Sequence, residues 1–252
     1  MLLRLDALSK RYPNGTVALD RVDLEVRCRD FISLLGPSGC GKSTVLKLVA
    51  GLMPATDGRV VWSPSASLET RQQPISFVFQ EPTLMPWATV FDNVWLPLRL
   101  RGQSREQAGE AVKGALARVG LDTFANVYPR ELSGGMKMRV SIARATVTSP
   151  LLMLMDEPFA ALDEMSRGRL NDDTLALWWA QGFSALFVTH SVYEAVYLSR
   201  RVVVMGARPG RVVGEVLIDE PYPRTEAFRS TPRYSAWCVQ VSRMLRSDAG
   251  GA

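Results

Sequence analysis

The sequence predicts an α/β fold, a mostly parallel sheet with helices on both faces, joined by an N-terminal antiparallel β subdomain and an inserted helical subdomain. Three observations carry that expectation. Short apolar runs of strand length alternate with helix-period segments. The first thirty residues instead alternate apolar and polar with a period of two. Residues 88–135 show helical patterning with no strand signal.

The elements follow in chain order. Leu3 and Leu5, then Val17 and Leu19, then Val22, Leu24 and Val26 mark antiparallel strands around the Pro13-Asn14-Gly15 turn. Residues 31–35 are apolar apart from Ser33 and end at Gly36, which reads as a buried strand. A helix is expected over 42–51, with Val45, Leu46, Leu48 and Val49 inward and Gly51 as its stop. Residues 75–79 form another strand. From 89 to about 119 the pattern is helical, with breaks expected at Pro97 and Gly102. Strand signals return at 151–155, 184–188 and 202–205, separated by helical stretches. Beyond Asp219 the chain is rich in Pro and Arg, and Trp237, Val241, Met244 and Leu245 mark one last helix. The expected division is a main unit over 1–218 and a short tail over 219–252.

Composition narrows the function. The 252 residues are 47% hydrophobic and 22% charged, an ordinary globular balance that excludes wholesale disorder. No run reaches the roughly 18 apolar residues of a membrane span. Met1-Leu2-Leu3-Arg4-Leu5-Asp6 does not read as a secretory signal. Three scattered cysteines and one histidine argue against a disulfide framework, a zinc knuckle or a histidine-rich metal site, and point to a reduced, cytosolic setting. The formal net charge of +5 fits nucleic acid, an anionic lipid surface or a phosphate ligand, and does not choose among them.

The motifs choose. Gly36-Pro37-Ser38-Gly39-Cys40-Gly41-Lys42-Ser43-Thr44 matches G-x-x-x-x-G-K-[ST], placed after a strand and opening a helix. Its glycines turn backbone N–H groups toward a phosphate, and the helix N-terminus adds partial positive charge. Lys42 reaches the β- and γ-phosphates and the Ser43 hydroxyl ligates Mg²⁺ in such a loop, which makes the sheet a P-loop NTPase core. Cys40 reads as a tolerated small residue rather than a redox switch. Leu151-Leu-Met-Leu-Met155-Asp156-Glu157 delivers two carboxylates at a strand end. Asp156 then suits Mg²⁺, and Glu157 suits accepting a proton from, or orienting, an attacking water. Leu132-Ser133-Gly134-Gly135-Met136 opens another helix. Ser133 is a natural N-cap, but capping does not need two glycines. Close approach of an anionic group to the exposed amides does, and a second such site implies nucleotide shared between two chains.

These three motifs, in this order, resemble the ATP-binding cassette (ABC) ATPases over about residues 2–218, and the Leu-Ser-Gly-Gly element discriminates them from other P-loop NTPases. The resemblance implies further roles. Tyr12 matches the aromatic residue that stacks on adenine, Gln80 the glutamine that touches Mg²⁺ and the attacking water, Asp163 the D-loop acid, and His190 the switch histidine at the γ-phosphate. Without the resemblance, Tyr12 reads as a turn-flanking core residue, Gln80 as a loop residue and Asp163 as a helix cap. It also implies the cofactors ATP and Mg²⁺ and a head-to-tail dimer of two copies. Each ATP then lies between the phosphate loop of one copy and Ser133, Gly134, Gly135 and Met136 of the other.

Phe159-Ala-Ala-Leu-Asp-Glu-Met-Ser-Arg167, Ala195-Val-Tyr-Leu198 and Ala207-Arg208-Pro209-Gly210-Arg211 look like the nitrate/sulfonate/taurine-type importer ATPases. That implies a peripheral subunit at the cytoplasmic face of the membrane, bound to transmembrane permease subunits and indirectly to a solute-binding protein. The permease is expected between Gln80 and the helical insert, near Pro82 to Asn93, where Trp87 and Phe91 read equally well as contact or as core. Three departures stand out: Met136 replaces the commoner Gln, Ser191 stands where Asp usually follows the histidine, and Asn171-Asp172-Asp173-Thr174 replaces an apolar helix segment. A nucleic-acid-directed ABC ATPase is disfavoured by the absence of heptads, a second cassette or a CxxC, so no nucleic-acid partner is expected. An exporter subunit is compatible with the same motifs, whereas the Ser-Gly-Gly element disfavours a P-loop kinase.

Overall fold

The computed structural model describes residues 1–63, 75–207 and 209–249. Two sheets form the frame. The smaller is antiparallel, in the order β2-β1-β4, from β1 (Leu3–Arg11), β2 (Val17–Val26) and β4 (Asp57–Trp62). The larger has the order β5-β6-β7-β3-β8-β9, from β3 (Phe31–Leu35), β5 (Ile75–Val78), β6 (Leu152–Asp156), β7 (Ser184–Thr189), β8 (Arg201–Gly206) and β9 (Arg211–Leu217). All its pairs are parallel except β8 with β9.

Burial explains which strands go where. Every residue of β3 and β7 is buried, as required of a parallel strand covered on both faces. Successive side chains then serve two cores. Ile32, Leu34, Leu154, Leu186 and Val188 face the small sheet and α1 (Lys42–Val49). Phe31, Leu35, Met153, Met155 and Phe187 face the helices on the other side. In the small sheet Leu3 pairs with Val26 and Leu5 with Leu24, so the period-two stripe of the sequence becomes its inner face.

Residues 79–151 contain no strand. They hold α2 (Val90–Arg99), α3 (Arg105–Arg118), two 3₁₀ turns and α4 (Gly134–Thr146). Thr89 caps α2 by accepting from the Asp92 amide, and Ser104 opens α3 with a reciprocal capping box to Gln107. One expectation is corrected here: Pro97 does not break the helix. It lies in the last turn of α2, where only one ladder bond is lost, and the chain leaves the helix after Leu100, toward Gly102 at φ 81°. The even choice at Trp87 and Phe91 splits, since Phe91 is core and Trp87 is 77% exposed.

Beyond these lie α5 (Glu164–Gln181), α6 (Val192–Leu198), α7 (Glu226–Arg229) and α8 (Pro232–Ala249). The tail is docked. Arg224 is buried and donates to the carbonyls of Val196, Tyr197 and Ser199 at the end of α6 and to those of Ile218 and Glu220. Tyr234, Cys238 and Val241 of α8 join the main core. Met244 passes so close to β9 that a Cβ on Gly214 would sit 2.8 Å from its sulfur.

Candidate functional site

Open parallel sheets bind ligands beyond the carboxyl ends of their strands, and four candidate segments emerge at that edge. Leu35 pairs with Thr189, Asp156 with Val188, and Val78 with Met155. The phosphate loop after β3, Gln80 after β5, Asp156 and Glu157 after β6, and His190 after β7 therefore share one rim. Gln80 is exposed there.

The loop geometry needs its glycines at two positions for different reasons. Gly41 caps α1 with φ 89°, and a Cβ there would lie 2.5 Å from Leu19 Cδ2 and 2.7 Å from the Ala18 carbonyl. At Gly36 a Cβ would meet the Met205 carbonyl at 2.4 Å and Cys40 Sγ at 2.8 Å. Pro37, Ser38 and Gly39 form the exposed tip, while Cys40 is fully buried. Burial pushes the Cys40 thiol above its ordinary range, with the nearby Lys42 charge pulling the other way. Cys40 is thus a packing residue. Lys42 is 5% exposed, and its Nζ donates to the carbonyls of Gly36 at 2.9 Å and Pro37 at 3.0 Å. The loop so holds an ammonium folded against its own backbone, in position to turn toward an anion.

Ser43 Oγ donates to Asp156 Oδ1 at 2.7 Å, which brings the two expected metal-binding oxygens together. Burial raises the Asp156 carboxyl above its usual range; the Ser43 bond opposes this and Glu157 reinforces it. A half-buried carboxylate beside a hydroxyl suits a hard cation that takes oxygen ligands and keeps part of its shell from phosphate and water. The donor set therefore fits Mg²⁺.

Glu157 is held in a left-handed backbone conformation, φ 46°, unusual for a residue with a side chain. Its amide donates to the Val188 carbonyl at 3.0 Å, and this fixes it beside β7. Its Oε2 lies 3.3 Å from His190 Nδ1. Ser191, the departure after that histidine, caps α6 by accepting from the Glu194 amide at 3.3 Å. Tyr12 stands half-buried with its hydroxyl 3.4 Å from Thr44 Oγ1, so its ring borders the loop from the small sheet.

Ser133 caps α4 by accepting from the Met136 amide. The two following glycines have no internal reason to be glycine. Neither has positive φ, and a Cβ would meet only Leu162 Cδ2 at 3.8 Å from Gly134 and Ser166 at 4.0 Å from Gly135. α4 packs on α2, α3, α5 and β5, whereas α1 packs on β2, β6 and β7, so the glycine-led end and the phosphate loop belong to different faces. Asp163 is the N-cap of α5, accepting from the Ser166 amide at 2.9 Å, and this bond lowers its carboxyl below the usual range. Asp163 is thus a helix cap, as its residue type suggests.

Several contributors escaped the sequence reading. Arg144 of α4 donates to the carbonyls of Pro82 at 2.8 Å and Thr83 at 2.9 Å, fixing the segment after Gln80. Asn93, fully buried, donates to the carbonyls of Met85, Ala88 and Thr89 and so shapes the loop that presents Trp87. Gly210 abuts the Cys40 carbonyl, where a Cβ would stand at 2.2 Å. Arg167 and Glu194 surround the His190 turn. Two of these were visible inside quoted motifs without a role, Arg167 in 159–167 and Gly210 in 207–211, and Arg208 of the latter lies outside the described residues.

Comparison with known proteins agrees with this geometry. The family model described as "ABC transporter" matches residues 19–160. The chain is 44% identical over 242 residues to the taurine import ATP-binding protein TauB of Rhizobium johnstonii, covering 94% of this chain and 92% of that one. It is 37% identical over 233 residues to the aliphatic sulfonates import ATP-binding protein SsuB of Bacillus cereus, covering 91% of each. Among solved structures, the dimeric post-hydrolysis state of the ATP-binding cassette MJ0796 bound to ADP and Pi matches with a TM-score of 0.75 at 31% identity, covering 87% of this chain and all of that one. With the phosphate loop, acidic strand end and glycine-led helix placed as above, the chain belongs to the ABC transporter family and is one of its ATP-binding cassettes.

Proposed function

We propose that this chain is the ATP-hydrolysing subunit of an importer for a small anionic solute of the sulfonate, taurine or nitrate kind, working through a separate membrane permease. The observation that carries the reading is the pairing of Ser43 with Asp156 and of Glu157 with His190 at one sheet rim, together with a helix start, on another face, whose Gly134 and Gly135 meet no contact among the described residues that requires glycine. The relatives named for taurine and sulfonate import support the solute class. We take 1–218 as the ATPase unit with its helical subdomain at about 88–135, and 219–252 as the tail.

ATP supplies the phosphoryl group when bound, and Mg²⁺ supplies charge neutralisation on its oxygens. Gly36, Ser38, Gly39, Cys40, Gly41 and Thr44 contribute the amide cradle, Pro37, which has no N–H, shapes the loop's tip, and Lys42 exchanges its two carbonyl partners for phosphate oxygens. Ser43, Asp156 and Gln80 hold the cation. Tyr12 stacks against adenine. Glu157 takes the proton of the attacking water, and His190 holds both the Glu157 carboxylate and the γ-phosphate. Ser133, Gly134, Gly135 and Met136 come from a second copy, with Asp163 at the same interface, so hydrolysis requires a head-to-tail dimer.

The permease contacts the groove between β5 and α2. Phe77 and Phe79 stack there at 4.2 Å, and Leu96, Leu100 and Arg101 line its other wall. Trp87 stands exposed on the neighbouring loop, and no helix among the described residues is long and apolar enough to cross a membrane. Binding of the permease places the subunit at the cytoplasmic face, with a solute-binding protein on the far side. The test is reconstitution with the permease in vesicles. ATP-dependent accumulation of labelled taurine or a short alkanesulfonate is expected, whereas ATP-dependent efflux, or hydrolysis stimulated only by nucleic acid, would overturn the proposal.

A further inference from the structure

We infer that Arg167 and Glu194 are positioning residues for the hydrolytic step, tying the turn that carries Leu162 and Asp163 to the turn that carries His190. The inference rests on the ATPase reading above. Arg167 lies one helical turn beyond the Asp163 cap, so its side chain folds back over the start of α5. Its Nη2 donates to the Leu162 carbonyl at 2.9 Å and its Nη1 lies 3.4 Å from Glu164 Oε2. The third nitrogen, Nε, faces Glu194 Oε1 at 3.7 Å.

Glu194 is a buried carboxylate that works in both directions. Its other oxygen, Oε2, accepts from the Thr189 hydroxyl, and Thr189 Oγ1 in turn accepts from the Ser191 amide at 3.0 Å. The residues on both sides of His190 are thereby held by one carboxylate, which is itself held by Arg167. A void of about 10 Å³ lies among Glu157, His190, Thr189, Ser191, Arg167 and Glu194, so this pair and the Glu157–His190 pair border the same space. Burial pushes the Glu194 carboxyl above its usual range, with the Thr189 hydrogen bond and the Arg167 charge pulling the other way.

The Arg167–Glu194 contact is also unfinished. Nε is buried without a hydrogen-bond partner, and a shift of roughly 1 Å would turn the 3.7 Å approach into a full bond. The Leu162 carbonyl sits beside Asp163, on the surface assigned above to the second copy. Engagement of that surface displaces the turn, and Arg167 passes the displacement to the backbone around His190. The acid–histidine geometry is then set by docking of the partner as well as by the nucleotide.

Steady-state ATP hydrolysis by the full chain tests this with Arg167→Met, Arg167→Lys, Glu194→Gln and the double variant Arg167→Met/Glu194→Gln. Loss of positioning should lower kcat about tenfold or more while KM for ATP stays within about twofold, because the phosphate loop is untouched. The double variant should be no slower than the worse single one, and Arg167→Lys should recover part of the rate. Should Arg167→Met fold poorly, Glu194→Gln gives the same readout, being isosteric and retaining an acceptor for Thr189. Unchanged kcat, additive losses, or parallel falls in kcat, ATP affinity and melting temperature would overturn the inference. The ATPase reading fails separately, if the unmodified chain does not hydrolyse ATP or if Glu157→Gln hydrolyses it at full rate.

Discussion

Gly135→Ala separates a residue kept for the fold from one kept for a ligand. Gly135 is the second residue of α4, and its φ is not in the left-handed region. A methyl group there would find Ser166 at 4.0 Å, an ordinary contact. Alanine is favoured over glycine by about 1 kcal/mol inside a helix and by less in the first turn, so a gain of about 0.5 kcal/mol is expected. For a chain of this size that corresponds to a melting temperature about 1–2 °C higher. The same methyl blocks the approach of a phosphate to the exposed amides, so ATP-driven dimerisation and kcat should fall about tenfold or more. Calorimetry without nucleotide measures the first effect. Sedimentation with ATP and Mg²⁺, together with a turnover assay, measures the second. Destabilisation by more than about 1 kcal/mol would show that the glycine serves the fold, and unaltered dimerisation and turnover would show that it serves no ligand.

Three further outcomes follow from the geometry. Asp156→Asn should raise the melting temperature of the nucleotide-free chain at neutral pH, since burial raises the Asp156 carboxyl and its ionisation therefore costs stability above that raised value. The advantage should vanish as pH falls below the ordinary aspartate range, where both states are protonated, and added Mg²⁺ with ATP should stabilise the unmodified chain but not the variant. Arg224→Met should cost about 3 kcal/mol by urea denaturation, because it leaves buried carbonyls of α6 and of residues 218 and 220 without their donor. Alkylation at mildly alkaline pH followed by mass spectrometry should label exposed Cys28 alone, with buried Cys40, and Cys238 whose thiol burial pushes up to about 11, reacting only after unfolding.

What could be read in advance followed physical lines. Buried parallel strands announce themselves as short apolar runs, so β3, β6 and β7 were legible, and Asp156, Glu157 and His190 inherited their places from the strands they end. β4 and β9 were not. Asp57-Gly-Arg-Val-Val-Trp62 and Arg211-Val-Val-Gly-Glu-Val-Leu217 lie at sheet edges, where half-exposed sequences mix charge with glycine and lose the alternation. Pro97 misled because a rule about helix interiors was applied to a last turn. In the site, the residues proposed to bind the phosphates sit in contiguous motifs, whereas Arg144 and the Arg167–Glu194 pair act through contacts between separate elements. Arg144 meets Pro82 across 62 positions, and no local spacing encodes that. The Asn171-Asp172-Asp173-Thr174 departure gained a partial explanation: Asp172 pairs with Arg229 of the tail and Asp173 with Arg139 of α4, so the acids serve neighbours that an apolar segment would not need.

If Glu157 drives hydrolysis in a site completed by a second copy, Glu157→Gln should uncouple nucleotide binding from turnover. The substitution keeps the shape of the side chain and removes its capacity to take a proton. With ATP and Mg²⁺, the variant should bind nucleotide as tightly as the unmodified chain and accumulate as a dimer carrying two ATP molecules. Its turnover should drop by about a hundredfold to ten-thousandfold. Rapid hydrolysis by the variant, or ATP-saturated chains that remain monomeric, would refute the roles proposed for Glu157 and the second copy.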